Sequence, residues 1–287
     1  MYDLHTHSRI SDGTQSVPEL IAEIATTGLA GFALTDHDTT AGWAEATELA
    51  DSFGLDFIPG MEISCSAQGV SIHLLSYLHD PTDTPLLAEI NRARDSRVSR
   101  AQRIVERLAE DYPLTWEIVQ SHVYEGATIG RPHIADALVA VGAVTSRSEA
   151  FETILTTQSK YYVPHYAVDP VTAVELVRAA GGVPVMAHPK AAARGRLARD
   201  ETIFAMIDAG LAGFEVYHRD NPQEDRTWLL ETAAKHNLLV TGASDYHGAG
   251  KPNRLGENTT GPETVARIRD LAGDKSRPLQ KEQTLSP

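Results

Sequence analysis

The strongest constraint on this chain is a repeated rhythm. VPELIAEIATTGLAGFALTDHD reads as a helix, a tight glycine turn and a short apolar strand that ends in polar residues. Pro18 falls in the first helical turn, where its missing N–H costs nothing, and Leu20, Ile21, Ile24 and Leu29 supply the apolar face. AGWAEATELADSFGLDFIPGMEISCS repeats the unit, with a helix ending at Gly54, and GVSIHLLSYLHD alternates as a further strand. The C-terminal half returns to it in DPVTAVELVRAAGGVPVMAHP, FAMIDAGLAGFEVYH and LLETAAKHNLLVTGASDYHG. Such alternation predicts an α/β fold with a parallel sheet. Barrels of this class carry their sites on polar residues at the C-terminal ends of strands.

Between the two halves lies a stretch of another character. RVSRAQRIVERLAEDY, IADALVAVGAV and SEAFETIL have helical periodicity, are rich in arginine and contain no convincing strand. The expected organisation is a barrel over residues 1–84 and 165–275, a helical insertion over 85–164, and a polar, flexible tail over 276–287.

Bulk properties narrow the function. With 287 residues and 42% hydrophobic content, the chain can bury a large core. No apolar run approaches the ~20 residues of a membrane-spanning helix, and no leader precedes the first motif, so the expectation is a cytoplasmic protein without a membrane partner. The single Cys65 excludes an internal disulfide and thiolate-rich zinc sites. Any metal must therefore be held by histidine and carboxylate. A net charge of −14 argues against a surface that coats long nucleic acid, but leaves room for a small phosphorylated ligand in a locally cationic pocket.

The opening LHTHSRISDG places His5 and His7 two apart in a strand, hence on one face, with Asp12 shortly beyond. His37 in LTDHD, Glu62 in GMEIS, His73 in SIHLLSY, His188 in VMAHP, and Asp245 with His247 in ASDYHG follow or sit within apolar strands. Nine candidate ligands exceed one tetrahedral site and suit two or three clustered divalent ions. Glu62 has the character of a bridge, and the nitrogen and oxygen donors are compatible with Mn, Fe or Zn.

Together HTHSRISDG, TDHD, GMEIS, IHLLSY, AHP, GFEVYH and SDYHG resemble the successive motifs of the PHP (polymerase and histidinol phosphatase) family of metal-dependent phosphoesterases, from Tyr2 to about Gly256. The resemblance implies a distorted (β/α)7 barrel with up to three metal ions at its C-terminal rim. It implies that His5, His7, Glu62 and Asp245 hold one ion, that Glu62, His73 and His188 hold a second, and that Asp12, His37 and His247 hold a third. IGRPHIADALV and KYYVPHY are similar to the subgroup that removes the 3′-phosphate of nucleoside 3′,5′-bisphosphates, some members of which trim short RNA from its 5′ end.

The chemistry expected is hydrolysis of a phosphomonoester by a hydroxide bridging two ions, with Glu62, Asp245 and His247 as the catalytic set. Arg131 is the main candidate for a second phosphate, because a guanidinium fork matches two phosphate oxygens. His133 and His218 are further substrate-binding candidates. Arg97, Arg100, Arg103 and Arg107 recur on one helical face, read as solvated, with a basic rim for a phosphate or RNA strand as the alternative. Asp36 and Asp38 are expected to orient His37. Cys65 reads as a packed thiol, and His79, His122, His165 and His236 as structural or solvent-facing. Competing readings are a phosphatase of another metabolite such as histidinol phosphate, a 5′-3′ exonuclease on short RNA, a C–N hydrolase in a related barrel, and a non-catalytic metal-binding module, which would show eroded ligands. No obligate protein partner is evident.

Overall fold

The structure, a computed structural model, describes residues 1–123, 127 and 129–273; the expected tail lies outside them. Seven strands, β1 (Tyr2–Thr6), β2 (Gly31–Leu34), β3 (Asp56–Ala67), β4 (Val70–Tyr77), β5 (Val183–Met186), β6 (Gly213–Tyr217) and β7 (Leu239–Gly242), lie side by side in chain order. Residues after β7 return to β1: the His7 N–H donates to the Tyr246 carbonyl at 2.9 Å, and Thr6 bridges Tyr246 in parallel. The sheet thereby becomes a nearly closed barrel, with the polar strand ends gathered at one rim.

One expectation is corrected. The sheet is not wholly parallel: β1, β2 and β3 are parallel, as are β5, β6 and β7, but β4 runs antiparallel to both neighbours. The cause is local. Gln68 and Gly69, with φ of 52° and 73°, form a two-residue turn of the kind that closes hairpins, too short for a crossover helix. A reversed strand must present its first half to the rim, and His73 sits there, opposite Ser64 of β3.

Helices α1 (Val17–Thr26) and α2 (Trp43–Phe53) follow β1 and β2. Ser16 caps α1 and Glu19 reaches back to the Ser16 N–H, while Val17, Leu20, Ile21 and Ile24 pack against Phe32 and Leu34. After β4 the chain enters α3 (Thr84–Leu108), α4 (Trp116–Gln120), α5 (Arg131–Ala140) and α6 (Arg147–Thr153). Leu86 and Ile90 of α3 pack with β3, β4 and α7 (Pro170–Ala179) in the barrel's core. Ala101, Ile104, Val105 and Leu108 of the same helix pack with α4, α5 and α6 in a separate apolar cluster. One 25-residue helix therefore threads both cores. Helices α8 (Asp200–Asp208), α9 (Gln223–Lys235) and α10 (Pro262–Leu271) complete the outer layer. Among the described residues, no helix is long and apolar enough to cross a membrane.

Candidate metal centre

All nine predicted ligands meet at the rim. His5 ends β1 one residue from its terminus and His7 lies just beyond, and their Nε2 atoms are each 3.1 Å from Glu62 Oε2. The same two nitrogens lie 3.4 and 3.3 Å from Asp245 Oδ1. His73 Nδ1 and His188 Nε2 approach the other Glu62 oxygen, at 2.6 and 3.3 Å. His247 Nε2 is 3.2 Å from Asp12 Oδ1, and His37 Nε2 stands between Glu62 Oε2 at 3.4 Å and Asp12 Oδ2 at 3.9 Å. Three groups have ligand atoms within 4.8 Å of one another: His5, His7, Glu62, Asp245; His7, Asp12, His37, His247; and His37, Glu62, His73. The first matches the expected set. The other two differ in that His7 and His37 each belong to two groups, and His188 stands beside Glu62 without completing a group.

The arrangement fits divalent ions on its own chemistry. His5 Nε2, His7 Nε2, His247 Nε2 and Asp245 Oδ1 are buried and have no hydrogen-bond partner among the described residues. Orphaned buried polar atoms are costly unless something else satisfies them. The far nitrogens explain their orientation. His247 Nδ1 faces the Asp245 carbonyl at 2.9 Å, which can only accept, so Nδ1 carries the proton and Nε2 offers a lone pair inward. Likewise His5 Nδ1 donates to Glu215 Oε1 at 2.9 Å. Backbone strain also gathers here: Asp38, His188 and Asp245 have φ of 52°, 32° and 52°. Such conformations cost about 1–3 kcal/mol each and persist where surroundings over-determine them.

Burial alone raises the Glu62 carboxyl, but His37, His5 and His73 hold it well below the usual carboxylate range. Asp245 is also held low against its burial, by Lys251, Arg194 and His5, and Asp12 by His247 and His37. Burial pushes His7 down, yet the nearby carboxylates of Asp245 and Glu62 carry it up to about 9. Burial, with Lys251 and His7, takes His247 to about 4. The ionised carboxylates and the neutral His247 are in the forms that bind metal, and an ion entering beside His7 would displace the proton of that ring.

Around this centre stand groups that the sequence reading missed or misread. Glu215 joins His5 to the His188 N–H at 2.9 Å; its signal was a carboxylate inside the apolar strand GFEVY. Asp36 and Asp38 do not orient His37. Asp36 accepts from the Ser8 N–H and hydroxyl and from Ser11, whereas Asp38 accepts from the Ser64 N–H and pairs with Arg97 at 2.7 Å. The arginine face of α3 is solvated only at Arg103 and Arg107. Arg100 is buried and donates to the Val163 carbonyl at 2.7 Å. Arg131 donates to the Leu155 carbonyl at 3.1 Å and lies over Phe151. Burial and the nearby Arg131 bring Arg100 down to about 9, and burial with Arg100, Arg97 and Arg131 takes His165 to about 3. His133 Nδ1 accepts the Gly130 N–H at 3.2 Å, at the start of α5. His218 is buried, accepts the Asp220 N–H, and places Nε2 at 3.7 Å from Asp245 Oδ2.

Comparison with known proteins agrees with this geometry. The PHP domain pattern matches residues 3–160. The chain is 33% identical, over 88% of its length and 89% of the relative's, to the 3′,5′-nucleoside bisphosphate phosphatase of Chromobacterium violaceum. It is 32% identical to the 5′-3′ exoribonuclease of Haemophilus influenzae, over 86% of this chain and 89% of that one. A Bifidobacterium adolescentis crystal structure, named as a candidate metal-dependent phosphoesterase, superposes with a TM-score of 0.93 at 46% identity, covering 95% and 96% of the two chains. The family pattern covers more than half of the chain and the relatives match it along most of both lengths, so the chain belongs to the PHP domain family of metal-dependent phosphoesterases.

Proposed function

We propose that this chain hydrolyses the 3′-phosphate of nucleoside 3′,5′-bisphosphates, giving a nucleoside 5′-monophosphate and phosphate. The observation that carries this reading is a group of cations beside the metal-ligand cluster. Arg97, Arg100, Arg131 and His165 lie close enough to affect one another's charge, and among the described residues only Arg97 of the three arginines has a carboxylate partner. Like charges gathered away from carboxylates favour an anion. Through the pair of Arg97 with Asp38, next in sequence to His37, this group of cations adjoins the metal-ligand cluster. A substrate with two phosphates would fill both, and the Chromobacterium relative is named for such a substrate.

Glu62 is assigned as the carboxylate shared by two ions, with His5, His7, Asp12, His37, His73, His188, Asp245 and His247 as the remaining ligands. Divalent ions there would acidify water and neutralise charge on phosphoryl oxygens. The chain's own groups do the rest. Glu215 fixes His5, the Asp245 carbonyl fixes His247, and Arg131 takes the phosphate that is not cleaved. His133 at the start of α5 and His218 just after β6 are assigned as further substrate-binding residues, His218 from beside Asp245. RNA, the substrate class in the name of the Haemophilus relative, would present its 5′-phosphate to the same cations.

The test is phosphate release by metal-loaded protein from adenosine 3′,5′-bisphosphate, AMP and histidinol phosphate, with a 5′-phosphorylated RNA oligomer alongside. The expected order has the bisphosphate far ahead. Equal rates on the bisphosphate and on histidinol phosphate would remove the substrate assignment.

A further inference from the structure

A second pair of cations meets a different edge of the centre. Arg194, in the loop after β5, donates from Nε to Asp220 at 2.7 Å and from Nη2 to Asp245 Oδ2 at 2.6 Å. Lys251, in the loop after β7, donates to the same Asp245 oxygen at 3.0 Å. The other oxygen of Asp245 is the one turned inward to His5 and His7. A single carboxylate thus separates the ligand cluster from two positive charges. Neither cation is used up by these bonds. The Arg194 Nη1 hydrogens and the remaining ammonium hydrogens of Lys251 have no protein acceptor among the described residues, and the side chains are 26% and 32% exposed.

The loop is built to hold Arg194 there. Gly195 follows with φ 141° and ψ −160°, a conformation essentially restricted to glycine. The reversal lets Arg194 reach toward Asp245 while Arg196 donates to the Gly69 carbonyl, at 2.7 Å, on the β3–β4 turn. The loop is therefore strapped at both ends, which reduces the ordering cost when an anion arrives.

We propose that Arg194 and Lys251 bind the phosphoryl group that is being transferred, through the donors their bonds to Asp245 leave free. The inference rests on the phosphoesterase reading. It assigns this pair to the reacting group and leaves Arg97, Arg100 and Arg131 to the phosphate that stays. Planar guanidinium and ammonium donors aimed at phosphoryl oxygens stabilise the charge that those oxygens carry during transfer.

The test uses inorganic phosphate as the probe, so that it does not depend on the substrate. Phosphate binding to metal-loaded protein is measured by calorimetry for the native chain, Arg194→Met and Lys251→Met, with metal content per chain measured in parallel. The expected result is that the native chain binds phosphate and each variant binds it at least tenfold more weakly at unchanged metal content. Turnover should fall alike on singly and doubly phosphorylated esters. Unchanged phosphate affinity, or no binding by the native chain, overturns the proposal. A loss of metal in step with the loss of phosphate also overturns it, since the pair would then act by holding Asp245. Phosphate binding that follows the expected pattern without hydrolysis of adenosine 3′,5′-bisphosphate keeps this inference and removes only the substrate assignment.

Discussion

Glu62 accepts contacts from five imidazoles, those of His5, His7, His37, His73 and His188, at 3.4 Å or less. Replacing it with glutamine preserves its volume but removes the charge that faces all five, and puts two amide hydrogens where only acceptors are wanted. Glu62→Gln should nearly abolish hydrolysis and lose more than one metal ion per chain, with an unchanged circular dichroism spectrum. Near-normal turnover at full metal content would show that Glu62 bridges nothing. Arg131 makes the contrasting case. Arg131→Ala should cost roughly 2–4 kcal/mol in kcat/KM on a bisphosphate, the range for truncating one partner of a buried charge contact. A singly phosphorylated ester never makes that contact and should suffer much less. Equal losses on both substrates would place Arg131 on the reacting group. The ligands were legible at this scale because His5, His7, Asp245 and His247 stand at or just beyond the ends of β1 and β7, where a barrel of this class collects its polar residues. The groups that hold them were not, since the bond from Glu215 to His5 spans 210 residues and leaves no local pattern.

At the scale of elements, the alternation of helix and strand foretold an α/β sheet, and the family resemblance its seven-stranded barrel, but neither gave the direction of β4, which turns on the two residues Gln68 and Gly69. The face of α3 was misread for a related reason. Its arginines look solvated by periodicity, yet the chain returns across the helix at Val163, which covers Arg100 and supplies its carbonyl, while Arg103 and Arg107 stay exposed. A helical wheel shows the face and not what covers it. This packing has a consequence for pH. His165 is carried from its ordinary value to about 3 by burial and then by Arg100, Arg97 and Arg131. The folded chain thus binds fewer protons than the unfolded chain below the unfolded histidine value, ~6.5. Its stabilising effect is complete above that value and is lost as pH falls toward about 3. His165→Gln should flatten that part of the stability profile, measured by urea unfolding at a series of pH values. Proton resonances should show His165 neutral at pH 5 in the free protein, and a bound anion should raise its titration point.

For the whole molecule, the two apolar cores raise the question of whether they fold together. Every candidate metal ligand lies in the barrel, and the cluster formed by the second half of α3 with α4, α5 and α6 contains none. Metal therefore stabilises one core directly. An ion at 100 times its dissociation constant adds about 2.7 kcal/mol to whatever unit binds it. Yet α3 runs unbroken through both cores, and Arg147 ties the helical cluster to the barrel by holding both oxygens of Asp136 and donating to the Asp12 carbonyl at 3.1 Å. Unfolding the barrel would strip Leu86 and Ile90 from their packing and fray the helix on which the second cluster is built. A single calorimetric transition is expected, moving upward as a whole when divalent metal is added and downward with chelator. Two transitions, of which metal moves only one, would show that the helical cluster folds independently of the barrel. In that case Arg147→Met should leave the second transition in place. If the molecule unfolds as one unit, the same substitution should lower its single transition and weaken metal binding at the Asp12 side of the centre.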